Sequence, residues 1–236
     1  MNVDFTFIFI AFREELKVLP LTLLITIVPL ICGIIFGTMI ALVRMHKVKY
    51  IHQLATFYVS FIRGTPMLLH IMIIYYLLPT LFDGLASKYN WPVHSRDIPL
   101  LAFIFISFTI VSSAYLSETI RAGILSVNPG QREAAYSVGM TTIQALRRII
   151  LPQALGNSIP MFCSAFISLL QGSSLAFFIS VVEITAKARI IANTNFRYLE
   201  AFIAAAIIYW SAAILVEKIS SVMEKRVQRY NRGGIQ

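Results

Sequence analysis

Charge is what this sequence has least of. Only 13% of its 236 residues are Asp, Glu, Lys or Arg, against about 25% in an ordinary globular domain. With 58% apolar residues and a mean hydropathy of +0.76, the apolar runs are too long for a soluble surface, and a membrane protein is indicated. Cysteine is nearly absent: Cys32 and Cys163 both lie inside apolar runs, which excludes a disulfide framework and makes them small apolar packing residues. The four histidines, His46, His52, His70 and His94, belong to no nucleophile–base motif, so no catalytic residue and no metal site is expected. The opening residues lack a basic region and a small-residue cleavage site, so no signal peptide is expected. A net charge of +9 could suggest nucleic acid, but in a membrane protein it reflects loop bias.

Long uncharged runs are what the sequence does have. A membrane helix needs roughly 20 mostly apolar residues. Residues 18–43 supply one, with Pro20 and Pro29 tolerable inside a bundle. Residues 64–82 form the core of a second that begins a few residues earlier, and 98–117 form a third. Residues 149–182 carry no charge and exceed one crossing. Pro152, Pro160 and Gly172 interrupt their pattern, so one span followed by bent or re-entrant backbone is predicted. Residues 201–216 are short, but Lys218 can snorkel to the interface. The reading is an all-α integral membrane protein with five transmembrane helices.

An odd number of spans puts the termini on opposite sides. Arg44, Lys47, Lys49, Arg121, Arg132, Arg147, Arg148, Lys218, Lys225, Arg226, Arg229 and Arg232 then share one side. Arg13, Lys17, Lys88, Arg96, Lys187, Arg189 and Arg197 share the other. The side richer in positive charge is cytoplasmic. This predicts an extracytoplasmic N-terminal segment 1–17, a membrane domain 18–226 and a cytoplasmic tail 227–236.

One polar stretch, "NPGQREAAYSVGMTTIQALRRIILPQA", interrupts these spans. Asn128-Pro129-Gly130 signals a turn, and 131–138 reads as a short helix. Gly139 suits a left-handed cap. Thr141 with Gln144 forms a capping box for a second helix with apolar Ile143, Leu146, Ile149 and Ile150. Ala135, Gly139 and Ile143 also match the outline of a DNA-reading helix-turn-helix. That reading fails because the second helix runs into a membrane span, leaving no room for a major groove. A docking element is the better reading, with small side chains and one carboxylate on a bent, exposed helix; a plain solvated loop is the bland alternative.

At "EAAYSVGMTTIQALRRIILP" the stretch resembles the EAA loop of ATP-binding-cassette importer permeases, through Glu133, Ala134, Ala135, Gly139, Ile149, Leu151 and Pro152. "FIRGTPMLLHIMIIYYLLP", "AYLSETIRAGILSVNPGQREAA" and "VVEIT" are similar to the polar amino-acid branch of that family, in the same order along the chain. The resemblance implies a type I (MetI-like) permease fold. It also implies a second permease subunit forming the pore, two cytoplasmic ATPases, and an extracytoplasmic amino-acid-binding protein. The coupling loop, 122–152, would engage the ATPases through Glu133, Ala134, Ala135 and Gly139. The sequence itself contains no G-x-x-x-x-G-K-[ST] phosphate loop. ATP chemistry is therefore expected from a partner, with no cofactor, no nucleic acid, and membrane lipid around the spans.

Polar groups inside the spans are candidates for the substrate pathway. Arg63 either binds a substrate carboxylate or pairs with Glu118, and His70 either lines the pathway or makes a helix contact. Glu118 and Arg121, three apart, form a local ion pair. "LLQGSSLAF" departs from relatives that carry Lys then Asp or Glu before the Ser-Ser-Leu. Here Gln171-Gly172 precede Ser173 and Ser174, so Gly172 is expected to permit unusual backbone and the others to offer neutral hydrogen bonds to a cavity. The segment resembles that of L-cystine importers and points to a neutral or zwitterionic amino acid. A stand-alone secondary transporter or channel is the alternative, disfavoured by five spans without a clear inverted repeat.

Overall fold

The computed structural model describes residues 3–232, with side chains through Val227. The described chain is all-helical. Its helices are α1 (Phe5–Leu16), α2 (Leu19–Met45), α3 (Ile51–Gly64), α4 (Met67–Tyr89), α5 (Leu100–Leu125), α6 (Pro129–Ser137), α7 (Thr142–Ala145), α8 (Leu151–Gly172), α9 (Ile184–Asn195) and α10 (Tyr198–Arg232). Five helical stretches are long and apolar enough to cross a membrane: α2, α4, α5, the run Thr142–Ile179, and α10.

The second span differs from expectation. It does not begin before residue 64; α3 ends there and α4 starts at Met67. The reason is Pro66, whose ring disfavours helical backbone in the residue before it. Thr65 accordingly sits in extended backbone, at φ −123° and ψ 147°. Beyond that break α4 continues to Tyr89 and closes on Asn90 in the left-handed conformation. The third span is longer than its uncharged run, because Glu118 and Arg121 neutralise each other on the helix and α5 runs on to Leu125. The N-terminal segment folds as α1, and α10 continues through most of the expected tail; residues 233–236 lie outside the described part.

Among the described residues, three clusters hold the bundle, the smallest of them Val59 and Ile62 of α3 against Val111 and Ala114 of α5. Ile25, Ile71, Phe103, Ile104, Phe108 and Leu169 pack α2, α4, α5 and α8 together. Phe7, Ala11, Ile184, Ala188, Ala201 and Ala204 pack α1 and α9 onto α10. Between helices in lipid the hydrophobic effect supplies little, and close packing of small residues does the work. At Gly37 on α2 an added Cβ would lie 3.0 Å from the Ser113 carbonyl oxygen and the Ser117 nitrogen of α5. The two backbones approach that closely because Gly37 has no side chain. Next to it, the Ser112 hydroxyl donates to the Pro29 carbonyl at 2.8 Å.

Candidate functional site

The α3–α4 break, α5 and α8 enclose a cavity of about 810 Å³. Its neutral polar lining comes from Thr65, Ser112, Tyr115, Thr119, Ser164 and Ser168, and its charged lining from Arg63, Glu118 and Arg121. Glu118 is the hub. It accepts from Arg44 at 2.6 Å and from Arg121 Nε at 2.9 Å, and Arg63 stands 3.8 Å away. Three guanidinium groups thus share one carboxylate, which leaves this end of the cavity positive. Arg63 is the least committed of them, 45% exposed and lying over the Tyr115 ring. Both readings of Arg63 therefore meet in one place: it lines the cavity, and it flanks Glu118. Arg44 was missed by sequence reasoning, because nothing local links it to a residue on α5.

His70 does not line the cavity. It is buried at 5% exposure, and its Nε2 lies 2.9 Å from the Thr65 hydroxyl. That hydroxyl donates to the Phe61 carbonyl at 2.8 Å, so Thr65 is held between the Phe61 carbonyl and the His70 ring. The histidine fixes the side chain that does face the cavity.

The Gln171–Ser174 segment is not part of this cavity wall, contrary to expectation. Gln171 is exposed and is not among the residues that line it. Ser173 is fully buried and donates to the Leu170 carbonyl at 2.6 Å, and Ser174 donates to the Gln171 carbonyl at 2.8 Å. Gly172 has ordinary helical backbone, φ −63° and ψ −22°. Glycine stands there for space, since a Cβ would meet the Met67 sulfur at 3.0 Å. The hydroxyls of α8 that do reach the cavity are Ser164 and Ser168, one and two turns earlier on the helix. Their i, i+4 spacing was the available signal.

The polar loop folds as a bent helix pair. Asn128 caps α6 by accepting from the Gly130 amide at 2.8 Å. Gly139 has φ +78°, a conformation that costs glycine nothing and other residues about 1 kcal/mol or more. Both halves of the Thr141–Gln144 capping box are formed. Glu133, Ala134 and Gly139 are exposed, whereas Ala135 is buried at 5% exposure; its small side chain lets α6 close onto the following segment. From α7 the chain passes through a π-helical turn, Leu146–Ile150, directly into α8. The second helix of the pair and the cavity wall are thus one continuous helical path, which leaves no free recognition helix.

Apolar spanning helices around a polar cavity, one of them continuous with the second helix of an exposed bent pair, define a membrane-embedded transport subunit. Residues 33–229 match the family described as "binding-protein-dependent transport system inner membrane component". The chain belongs to that family. It is 40% identical to "Probable amino-acid permease protein YxeN" of Bacillus subtilis (strain 168), over 97% of both chains. It is 41% identical to "L-cystine transport system permease protein TcyB" of the same organism, over 89% of this chain and 84% of the relative. Among solved structures, "Crystal structure of an amino acid ABC transporter with histidines" contains a chain with TM-score 0.80 and 34% identity. That match covers 96% of this chain and all of the other. The inward-facing MetNI methionine transporter shares the fold, at TM-score 0.65 and 15% identity. The protein is a multi-pass bacterial inner-membrane permease subunit.

Proposed function

We propose that the chain is the permease subunit of an ATP-driven amino-acid importer working by alternating access. Two such subunits form the pore. Two separate ATPases dock on α6 and Gly139, and an extracytoplasmic binding protein delivers the cargo. The observation that carries this reading is the unbroken helical path from α7 to Ser164 and Ser168 of the cavity, with α6 packed against the π-helical turn of that path. A displacement imposed at the docking helix has a mechanical route to the cavity wall, which a loop tethered by flexible chain would lack. This subunit then transmits motion, and ATP hydrolysis belongs to its partners.

The cargo is a neutral or zwitterionic amino acid, with L-cystine the leading candidate. The support comes from the cavity rather than from Gln171–Ser174. Its one carboxylate, Glu118, is already shared by three arginines, so a cationic side chain would find no free partner and would be costly to desolvate. Arg63 and Arg121, both more than a third exposed, offer guanidinium donors to an α-carboxylate. The names of relatives such as TcyB agree.

The test is uptake into liposomes holding the permease with its ATPase, with one fixed binding protein outside. ATP-dependent uptake of cystine well above that of arginine is expected. Uptake that needs no ATPase and follows an ion gradient would make this a secondary transporter instead. Preferential arginine uptake would overturn the cargo assignment alone.

A further inference from the structure

Glu183 is a fully buried carboxylate whose hydrogen-bond partners are all neutral. Its Oε1 accepts from the Ala186 amide at 2.8 Å, and its Oε2 from the Thr185 amide at 2.9 Å. It therefore caps α9, where the free amides and the helix dipole favour negative charge. A third donor comes from another helix: the Tyr209 hydroxyl of α10 donates to Oε2 at 2.8 Å. A buried carboxylate is tolerated only when fully hydrogen-bonded, and these donors meet that requirement.

The same hydroxyl has two further neighbours. Thr185 Oγ1 lies 3.3 Å from it and Ser173 Oγ 3.5 Å. Ser173 follows the last residue of α8, and Glu183 precedes the first residue of α9. Between them the chain runs as a 3-10 helix, Ser173–Ile179, and then reverses at Ser180 in left-handed backbone, φ +63°. The connector from 173 to 185 thus folds back on itself, and both of its ends meet at Tyr209. Thr22 of α2 adds an outer contact, 3.4 Å from the Ile184 amide.

We propose that Tyr209 and Glu183 are positioning residues for translocation. The Tyr209 hydroxyl pins the 183–185 end of the connector to α10 through Glu183 and Thr185, with Ser173 at the other end lying against it, so that the connector between α8 and α9 is held to α10. α8 also packs directly on α10, so the part of the staple is to keep the connector and α9 in step with both helices when a push arrives along α8 from the docking loop. The proposal rests on the permease reading above for its consequence in transport, but the staple itself can be tested without it.

Tyr209→Phe keeps the ring and removes only the hydroxyl; Glu183→Gln keeps the shape and removes the charge. In liposomes with the ATPase and binding protein, Tyr209→Phe should assemble normally and keep basal ATP hydrolysis. Its maximal uptake rate should fall several-fold at unchanged KM, so that more ATP is spent per substrate. A purely structural role would lower the yield of complex and leave that ratio alone. Hydrogen–deuterium exchange on the chain in lipid nanodiscs supplies the independent arm. The Thr185 and Ala186 amides should exchange roughly tenfold faster in either variant, with residues 129–137 unchanged. Unaltered exchange at 185 and 186 would overturn the staple, and a wild-type ATP-to-substrate ratio in Tyr209→Phe would overturn its role in transport. A wild-type complex that shows no ATP-driven uptake would instead sink the permease reading and with it the transport role, leaving the exchange result to decide the staple.

Discussion

Arg44 and Glu118 are 74 residues apart in sequence and 2.6 Å apart in space, tying the end of α2 to the last turns of α5. Both are mostly buried, at 14% and 18% exposure. Removing one partner of such a pair leaves the other charge desolvated and unmatched, which outweighs the net worth of the pair. Glu118 has the larger effect, since three guanidinium groups converge on it. Glu118→Gln should cost about 2 kcal/mol, read as a drop in melting temperature of roughly 4–8 °C. A variant that melts with the wild type would show that the cluster does not hold α2 to α5.

Arg63 should behave in the opposite way. At 3.8 Å from Glu118 and nearly half exposed, it contributes little to stability, within about 0.5 kcal/mol. As the guanidinium with donors to spare, it should instead matter for cargo. Arg63→Ala is expected to leave the melting temperature unchanged and raise the KM for uptake about tenfold, the loss of a charge-assisted hydrogen bond. Unchanged KM would remove Arg63 from the pathway.

The contrast between Arg44 and Arg63 shows what the sequence could reveal. The five spans were legible because a membrane helix needs a long apolar run, and such runs are counted locally. The bent pair was legible for the same reason: Asn128, Gly139 and the Thr141–Gln144 box each act within four residues. Arg44 with Glu118, and Tyr209 with Glu183, were hidden because each pair joins helices whose arrangement no local pattern encodes. Gln171 and Ser173 fall outside this cavity because polarity in a span says that a partner exists, not which side it lies on. Ser173 found its partner in the Leu170 carbonyl and lies against Tyr209, not in the cavity. The break at Thr65 was locally encoded by Pro66, but the apolar run masked it.

Coupling should depend on the backbone of Gly139 rather than on its space. A Cβ there would meet nothing within 4 Å, so substitution is penalised only by the positive φ. Gly139→Asn, which tolerates left-handed backbone, should retain most transport-linked ATP hydrolysis, whereas Gly139→Val should lose most of it. Glu133→Lys should also uncouple the complex, by inverting the charge on the exposed helix. Full stimulated ATPase activity in both Gly139→Val and Glu133→Lys would refute docking at this helix pair.

Topology follows from the distribution of positive residues and can be read by thiol labelling. Asn90 and Gln131 are both exposed and lie at opposite ends of α5. In a chain with Cys32 and Cys163 replaced by Ala, a membrane-impermeant maleimide applied to intact cells should label Asn90→Cys and spare Gln131→Cys. The reverse pattern would invert the orientation and remove the ATPase from α6.

Glu15 gives the protein a dependence on pH of its own. It lies on α1, outside the five spans, fully buried, and neither oxygen has a hydrogen-bond partner. The basic residues of α9 and of its junction with α10 serve other groups: Lys187 reaches Glu14 at 3.7 Å, and Arg197 pairs with Asp4. Burial therefore pushes the Glu15 carboxyl up to about 8, and at neutral pH the folded protein holds it mostly protonated. Because the folded state binds this proton more tightly than the unfolded chain, stability from this group is fully present below the ordinary value of 4.5. It declines as pH rises through the interval up to about 8. Wild-type protein should thus lose on the order of a few kcal/mol between pH 5 and 8 at this one site, loosening α1 from α9 and α10. Glu15→Gln carries no titrating group, so its melting temperature should vary less over the same range and exceed that of the wild type at pH 8. Parallel pH profiles for the two proteins would show that Glu15 does not hold its proton when folded.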